Sequence, residues 1–199
     1  GFRDVLEMGR RDRPDFYGLT GKQNPLIPRN LRFEINERMT FKGEIRHKID
    51  AGEVAALAER LKLENVAAIV VSLLHSYVNP AHEEQVAAIL KDANPEWEIV
   101  TSAAMNREYY EFERTSTATI QAFLQPLIKG YAANLLQRLA DWGFDKQTLV
   151  MQSNGGLVPA AQLGTHAAQI VRSNTVAAVG LGDARSVAAM QGCTVREPR

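Results

Sequence analysis

The stretch that decides the fold of this chain is residues 106–143, which read NREYYEFERTSTATIQAFLQPLIKGYAANLLQRLADWG. Apolar residues recur there at helical spacing over several turns, which predicts one long amphipathic helix with its apolar face in the core. Those apolar positions are Ile120, Phe123, Leu124, Leu127, Ile128, Tyr131, Leu135, Leu136, Leu139 and Trp142.

The ends and the middle of this helix carry local signals. Thr115 or Ser116 is predicted to cap its start, and Gly143 is predicted to end it in a left-handed conformation. Pro126 removes one intrahelical hydrogen bond, so a kink is expected there. Leu127 is predicted to be buried, whereas Gln137 is predicted to be exposed.

A cluster of charged residues precedes the apolar positions. Glu111, Glu113 and Arg114 lie among aromatic residues and lead into Thr-Ser-Thr. One interpretation is a solvated, salt-bridged helix start. The other is a polar site on a rigid element, where carboxylates and a planar guanidinium bind a polar ligand or an acidic partner surface. Under the second interpretation these three residues are the candidate catalytic residues.

The rest of the chain alternates between strand and helix patterns, which predicts an α/β protein with a mostly parallel sheet and crossover helices. Residues 1–48 are predicted to be a connecting arm with a short strand pair. In the first of these strands the apolar residues Leu31, Phe33 and Ile35 alternate with polar residues. Residues 49–199 are predicted to be an α/β lobe. It begins with a helix capped by Asp50, and its strand at residues 66–74 is expected to be central and buried.

The second half of the lobe is predicted to hold a strand at residues 148–152, a turn at residues 153–156 and a short helix at residues 159–163. A strand at residues 169–171 and a helix from Thr175 to Met190 complete it.

Three stretches follow predicted strands, where parallel sheets bind ligands. His75, His82 and Glu83 match no standard zinc spacing, so no metal site is predicted. Arg172–Thr175 lies before a helix but lacks the glycines and the lysine of a phosphate loop. The third stretch is a turn whose paired glycines allow backbone N–H groups to approach an anion, although a tight turn needs the same residues. Its candidate cofactor-binding residues are Ser153, Asn154, Gly155 and Gly156.

Composition excludes several classes of protein. Lys and Arg together number 23, as do Asp and Glu, so the net charge is zero and no nucleic-acid partner is predicted. No apolar run is long enough to cross a membrane, and the single cysteine, Cys193, fits a reducing compartment. A cytoplasmic protein without membrane contact is therefore predicted. The first residues read directly into structured sequence, so the chain is interpreted as an internal piece of a larger protein.

Several phrases resemble the hydantoinase A and 5-oxoprolinase family, which includes acetone and acetophenone carboxylase subunits. They occur in the family's order over most of the chain. The phrases are GFRDVLEMGR at residues 1–10, PRNLRF at 28–33, LHSYVNPAHE at 74–83, EFERTST at 111–117 and VMQSNGGL at 150–157. The chain departs from the family at residues 173–178, which read SNTVAA where the family usually has Ser-Gly-Pro-Ala-Gly-Gly.

The resemblance implies an actin-like, sugar-kinase-like ATPase fold and a fragment of an ATP-dependent cyclic amide hydrolase. ATP and magnesium are the implied cofactors of the full-length enzyme, and a hydantoinase B-like subunit is the implied partner. The family's phosphate loops are expected outside this chain, so the fragment alone is expected to be inactive. Two alternatives stay open: a subunit of an ATP-dependent carboxylase, and a non-catalytic lobe that contacts another subunit.

Overall fold

The structure is a computed structural model that describes residues 2–8, 17 and 26–170. Its strands are β1 (Arg38–Met39), β2 (Ile45–His47), β3 (Ala68–Val71), β4 (Glu98–Thr101), β5 (Leu149–Met151) and β6 (Leu157–Pro159). Its α-helices are α1 (Ala51–Leu63), α2 (Ala81–Ala93), α3 (Ser102–Met105), α4 (Glu111–Asp141) and α5 (Ala167–Ile170). Short 3-10 helices cover Val5–Glu7, Arg29–Leu31 and Ala160–His166. The predictions for Arg172–Thr175, for a helix at 175–190 and for Cys193 lie outside the described residues.

The chain divides into two compact units, Gly1–Pro126 and Leu127–Arg199, and the boundary falls inside α4 at Pro126. Each described unit has its own apolar core. Pro126 is contained within the helix, as predicted, because its neighbours continue the helical hydrogen bonding. The kink at this proline and the division into an arm of residues 1–48 and a lobe of residues 49–199 stay predictions.

The first unit contains the α/β element that the sequence predicts. β3 and β4 pair in parallel, with Ala68 opposite Glu98 and Val71 opposite Thr101, and α2 connects them. Asp50 caps α1 by accepting the N–H of Gly52 at 2.8 Å. Both helices contribute to one core, whose buried members are Ile49, Val54, Ala58, Leu61, Val71, Val86, Leu90 and Trp97.

Two other strand pairs in the described residues are antiparallel, so the expectation of a mostly parallel sheet holds only for β3 and β4. β1 pairs with β2, and β5 pairs with β6. A parallel pair needs a long crossover, whereas residues 40–44 and 152–156 are short turns that reverse the chain directly. The strand expected at residues 169–171 is also wrong over its described part, because residues 167–170 form α5.

The strand predicted at Leu31–Ile35 is wrong for a different reason. The apolar residues of the alternation are half-buried, but Arg32 between them is buried as well. Its Nε donates to the carbonyl of Ile27 at 2.9 Å, and its Nη2 donates to Glu7 at 2.9 Å. A half-buried strand would expose this arginine to water, but its partners hold it inside the protein. The segment forms no strand.

The turn between β5 and β6 depends on one glycine. The N–H of Gly155 donates to the carbonyl of Gln152 at 3.0 Å, and the N–H of Gln152 donates to Gly156 at 2.7 Å. Gly155 has φ +82°, the left-handed conformation that follows the turn in a three-residue hairpin loop. Residues 153–156 therefore form the predicted turn, now identified as a hairpin loop.

α4 begins earlier than the predicted cap residues. Its first residue is Glu111, and the N–H of Arg114 donates to the carbonyl of Tyr110 at 3.1 Å. Thr115 lies inside the helix and contacts the hydroxyl of Ser72 at 2.7 Å instead of capping an N–H. Thr117 and Thr119 donate to carbonyls four residues back, which accommodates these weak helix formers inside the helix.

The buried face of α4 in the first unit is not the one predicted. Ala118, Gln121, Ala122 and Gln125 are buried, whereas Phe123 is 62% exposed and Leu127 at the unit boundary is 54% exposed. Alanines allow the helix to lie close to the sheet, where Ala118 and Ala122 pack with Val100. Gln125 donates to Glu98 at 2.6 Å. The predicted burial of Leu127 is therefore wrong.

In the second unit the helix follows the prediction more closely, except at Trp142, which is 82% exposed. Ile128 and Leu136 pack against Val158 and Leu163 in the second core, and Gln137 is exposed. The helix ends as predicted at Gly143, whose φ is +80°. The N–H of Gly143 donates to Ala140 at 2.8 Å and that of Phe144 donates to Leu139 at 2.9 Å, the bonding pattern of a Schellman cap.

Replacing a core leucine and an exposed leucine should separate these burial assignments. Leu90 is 1% exposed, so Leu90→Ala should lower the free energy of unfolding by about 2–5 kcal/mol because it leaves a cavity. Leu127→Ala should change it by less than about 0.5 kcal/mol. Urea unfolding of the 199-residue chain measures both variants. A large loss at Leu127 would contradict the exposed assignment.

Two glycines of α4 and its cap should respond oppositely to the same substitution. A β-carbon would meet no heavy atom within 4 Å at Gly130 or at Gly143, so sterics do not distinguish them. Gly130→Ala in the helix interior should stabilise the chain by about 0.5–1 kcal/mol. Gly143→Ala should destabilise it by about 1 kcal/mol, because alanine disfavours φ +80°. Thermal unfolding followed by circular dichroism checks the two signs, and equal signs would refute the cap.

Candidate functional site

The candidate site lies beyond the carboxyl ends of β3 and β4, in the first unit. Two connecting segments start there, residues 72–79 after β3 and residues 102–110 after β4. α2 and α4 begin directly after these segments, at Ala81 and Glu111. Parallel sheets bind ligands at this end because the connecting segments there are free to vary while the strands stay fixed.

Glu83, in the first turn of α2, is the acceptor on which both segments converge. Its side chain has no exposed surface. Oε1 accepts the N–H of Leu73 at 2.8 Å and the hydroxyl of Ser102 at 2.6 Å, and Oε2 accepts the N–H of Ala103 at 2.9 Å. One carboxylate therefore binds the segment after β3 to the segment after β4.

Arg114, in the first turn of α4, is the corresponding donor and is also fully buried. Its Nε donates to the hydroxyl of Ser102 at 2.9 Å, and its Nη2 donates to the carbonyl of Leu73 at 2.7 Å. Its Nη1 donates to the carbonyl of Glu108 at 3.0 Å. Ser102 accepts from Arg114 and donates to Glu83, so the three side chains form one network. The guanidinium holds the same two segments as Glu83.

Aromatic rings cover the outer side of this network. Tyr77, Tyr109 and Tyr110 are arranged edge to face, with ring centroids 5.3 Å and 5.5 Å apart. Tyr109 and Tyr110 are more than half exposed, whereas the guanidinium of Arg114 lies 5.9 Å from the ring of Tyr77. The network thus fixes the segments that present two exposed tyrosines at the carboxyl end of the strands.

His75 has an unusual backbone conformation beside these rings. Its φ is +57°, a conformation that costs energy for a residue with a β-carbon. Its carbonyl accepts the N–H groups of Val78 and Asn79, and its ring lies 6.1 Å from that of Tyr77. His82 contacts a different residue, because its Nδ1 lies 2.7 Å from Glu37 and both side chains are buried. These two histidines and Glu83 therefore have separate partners.

The structure brings together some of the predicted site residues. Glu111, Glu113 and Arg114 share the first turn of α4, and the two glutamates are half-buried. The ligand contact predicted for Arg114 stays a prediction, since its described partners are protein groups. Ser102 was missed as a site residue, and Glu83 was considered only as a metal ligand. The signal for Glu83 was its place in the first turn of α2, as the last residue of the phrase at 74–83 that carries the family resemblance.

The turn at Ser153–Gly156 belongs to the second unit and is exposed at residues 153–155. The N–H of Ser153 donates to the carbonyl of Gln169 at 3.0 Å, and the N–H of Gly156 donates to Oδ1 of Asn154 at 2.8 Å. Together with the bond from Gly155, these contacts use three backbone donors of the turn inside the protein. Nucleotide binding by these residues stays a prediction.

A second charged cluster lies in the arm. Asp4 accepts from Arg29 at 3.0 Å and lies 3.3 Å from Arg32. The hydrogen bond from the Arg29 guanidinium lowers the pKa of the Asp4 carboxyl, and the same bond raises the pKa of Arg29. A lowered carboxyl pKa stabilises the fold above the ordinary pKa of aspartate, and this contribution is lost as the pH falls through the lowered value. Both groups are exposed, so solvent screens the interaction.

The described residues offer neither a grouped set of metal ligands nor a membrane-spanning helix. Within residues 2–8, 17 and 26–170, no three His, Cys, Asp or Glu side chains are grouped so that they could hold a metal ion. In the same part of the chain, no helix combines the length and the apolar character that a membrane span requires.

Known protein families account for most of the chain. Residues 1–94 match the sequence profile of the hydantoinase/oxoprolinase N-terminal region, and residues 114–191 match the hydantoinase/oxoprolinase profile. The chain belongs to the hydantoinase/oxoprolinase family. The second profile begins at Arg114, and the first includes Glu83, so the buried network connects the two matched regions.

Three relatives show the range of this family. An uncharacterized protein of Methanocaldococcus jannaschii is 41% identical over 158 residues, which cover 79% of this chain and 23% of the relative. The acetophenone carboxylase gamma subunit of Aromatoleum aromaticum is 32% identical over 140 residues, covering 68% of this chain and 19% of the relative. The crystal structure of the ATP-dependent caprolactamase from Pseudomonas jessenii superposes with a TM-score of 0.74 at 28% identity.

The caprolactamase match covers 80% of this chain and 24% of that structure. The chain therefore spans no more than about a quarter of the length of these relatives. The family membership and the α/β architecture are properties of the chain itself.

The network should be sensitive to the shape of the cation at position 114. Arg114→Lys keeps the charge, but one ammonium cannot reach Ser102, Leu73 and Glu108 together. Because buried acceptors then lose their donors, the free energy of unfolding should fall by about 1–3 kcal/mol. Arg107→Lys, at an exposed arginine of the same segment, is the matched control and should leave it unchanged. Equal urea midpoints for the two variants would contradict the structural role of the guanidinium.

Proposed function

We propose that the whole protein containing this chain is an ATP-dependent hydrolase of cyclic amides. The observation that carries the proposal is the match to the ATP-dependent caprolactamase, which extends over 80% of this chain at a TM-score of 0.74. The family profiles support it independently, because their description names hydantoinase and oxoprolinase. The proposed substrate class is a ring that contains an amide bond, and the product is the ring-opened acid.

The proposed overall architecture is the actin-like, sugar-kinase-like ATPase fold that the family resemblance implies. The βαβ unit formed by β3, α2 and β4 and the hairpin of β5 and β6 would be parts of it. In such a fold the carboxyl ends of parallel strands face the ligand. The network of Glu83, Ser102 and Arg114 stands at that end.

The proposed roles of the candidate catalytic residues follow from their positions. Arg114 is fully buried and bonded to both connecting segments, so in this conformation it positions them. Glu111 and Glu113 are half-buried in the same helical turn, where a carboxylate can orient a polar substrate or partner. We assign contact with the amide substrate to this helix start, and we keep the predicted Arg114 contact as part of that proposal.

ATP is the proposed cofactor because the caprolactamase is described as ATP-dependent. The residues described here do not fit a complete nucleotide site. Three N–H groups of the turn at 153–156 already donate to groups of the protein. Among the described residues, no three metal-ligating side chains lie close enough together to hold a metal ion. ATP would supply the energy to activate an amide carbonyl. We propose that nucleotide and magnesium bind mainly to parts of the whole protein outside the described residues.

A second candidate is supported by a specific match. The acetophenone carboxylase gamma subunit is 32% identical over 140 residues, which supports a carboxylase subunit that acts on a ketone. That relative is named as a subunit, so a partner is proposed under either function, and a hydantoinase B-like subunit is the partner we propose. A non-catalytic contact lobe is the remaining alternative, with the exposed Tyr109 and Tyr110 as its interface. A cytoplasmic location stays a prediction.

An assay of the whole protein, copurified with its partner subunits, separates these functions. Caprolactam or 5-oxoproline should stimulate ADP release, and ring-opened product should form only when ATP is present. Acetophenone with bicarbonate should have no effect. The 199-residue chain alone should release no ADP, because the proposed phosphate-binding parts lie outside it. Stimulation by the ketone and bicarbonate instead would reject the hydrolase in favour of the carboxylase. Stimulation by neither substrate would reject both.

A further inference from the structure

The hairpin loop between β5 and β6 carries the Asn154–Gly155 pair, which occurs once in the sequence. Asn154 and Gly155 are both exposed. A β-carbon at Gly155 would have no heavy atom within 4 Å, so the space beside this peptide is open. Glycine has no side chain to shield its own backbone nitrogen. Asn154 is therefore exposed to water, and no side chain of the next residue lies beside the backbone nitrogen that follows it.

We propose that Asn154–Gly155 is a site of intramolecular cyclisation and deamidation. The backbone nitrogen of Gly155 loses its proton to hydroxide and attacks Cγ of Asn154. A nitrogen–carbon bond forms and the bond from Cγ to the side-chain nitrogen breaks. The leaving nitrogen takes a proton from water, which regenerates the hydroxide, and it departs as ammonia to give a five-membered succinimide. Water then opens the ring at either carbonyl and yields aspartate or isoaspartate. No oxidant or further reactant is consumed.

One hydrogen bond of the loop favours the attack. The N–H of Gly156 donates to Oδ1 of Asn154 at 2.8 Å. This oxygen becomes negatively charged when the nitrogen adds to Cγ, and a backbone donor already aimed at it stabilises that charge as in an oxyanion hole. The donor is placed by the loop itself, so it is available before the reaction begins.

Another hydrogen bond opposes the attack. The N–H of Gly155 donates to the carbonyl of Gln152 at 3.0 Å, and this bond must break before the nitrogen can be deprotonated. It lies at the exposed tip of a two-stranded hairpin, where opening costs little. The bond from Gln152 N–H to Gly156, at 2.7 Å, can keep the hairpin closed meanwhile. The loop therefore reacts in the folded protein.

The product has a consequence that rests on the proposed function. Aspartate or isoaspartate adds a negative charge to a turn that is a candidate for holding phosphate, and a carboxylate there would repel it. Isoaspartate also lengthens the backbone by one methylene group. A deamidated population of the whole protein would accordingly bind nucleotide more weakly if this turn contacts phosphate. The deamidation itself is independent of that function.

Peptide mass spectrometry tests the modification in the whole protein after incubation at mildly alkaline pH. Trypsin cleavage after Lys146 and Arg172 would give a peptide with Asn154 as its only asparagine. Its mass should rise by one unit with time. Asn65, exposed but followed by Val66, is the matched control. Conversion at Asn154 should be about tenfold faster, because valine shields the attacking nitrogen and glycine does not. Asn94, followed by Pro95 without an N–H, should not change.

Further readouts distinguish the proposed route from its alternatives. The rate of the mass increase should rise with pH, and an isoaspartate methyltransferase should methylate the product. Asn154→Gln should abolish both the mass increase and the methylation at this position. Equal rates at Asn154 and Asn65 would overturn the proposal, as would aspartate without isoaspartate, which indicates direct hydrolysis. Conversion that occurs only after the protein is unfolded in urea would show that the loop protects the pair, and would overturn it equally.

Discussion

A buried carboxylate and a buried guanidinium, Glu83 and Arg114, hold the first unit together at the end of its parallel strands. Both lack contact with solvent, and both bond to Ser102 and to the backbone of Leu73. Isolated charges in such a place would be strongly destabilising, whereas a network that satisfies them is tolerated. Removing one partner leaves the other charge uncompensated. Each of the two segments that follow the strands is therefore fixed by groups from two different helices.

Sequence reasoning found the elements that local rules determine. Asp50 caps α1, α2 connects two parallel strands, and Gly143 ends α4 in a left-handed conformation. Each of these depends on a few neighbouring residues whose chemistry has one main structural use. The family was also predicted, because five phrases of the chain matched its order.

Other elements could not be predicted because polar residues are buried at positions where the apolar pattern predicts exposure. Arg32 is buried where an alternating strand would expose it, and Gln121 and Gln125 line the buried face of α4. Their partners come from distant parts of the chain, such as Glu7 for Arg32 and Glu98 for Gln125. The site predicted from the sequence was incomplete because its partners, too, come from distant parts of the chain. Glu83 and Arg114 bind the backbone of Leu73, and a backbone group carries no signature in the sequence.

The alanines of α4 extend the influence of the site along the helix. Ala118 lies one turn after Arg114 and is fully buried, packed with Val100 of β4. A larger residue at 118 would push the helix away from the strand, and the rigid turn between the two positions would carry the guanidinium with it. The acceptors of Arg114 tolerate little displacement, since hydrogen bonds weaken steeply with distance and angle. Natural selection that maintains the hydrogen bonds of Arg114 should therefore also keep residue 118 small, although this residue takes part in no chemistry.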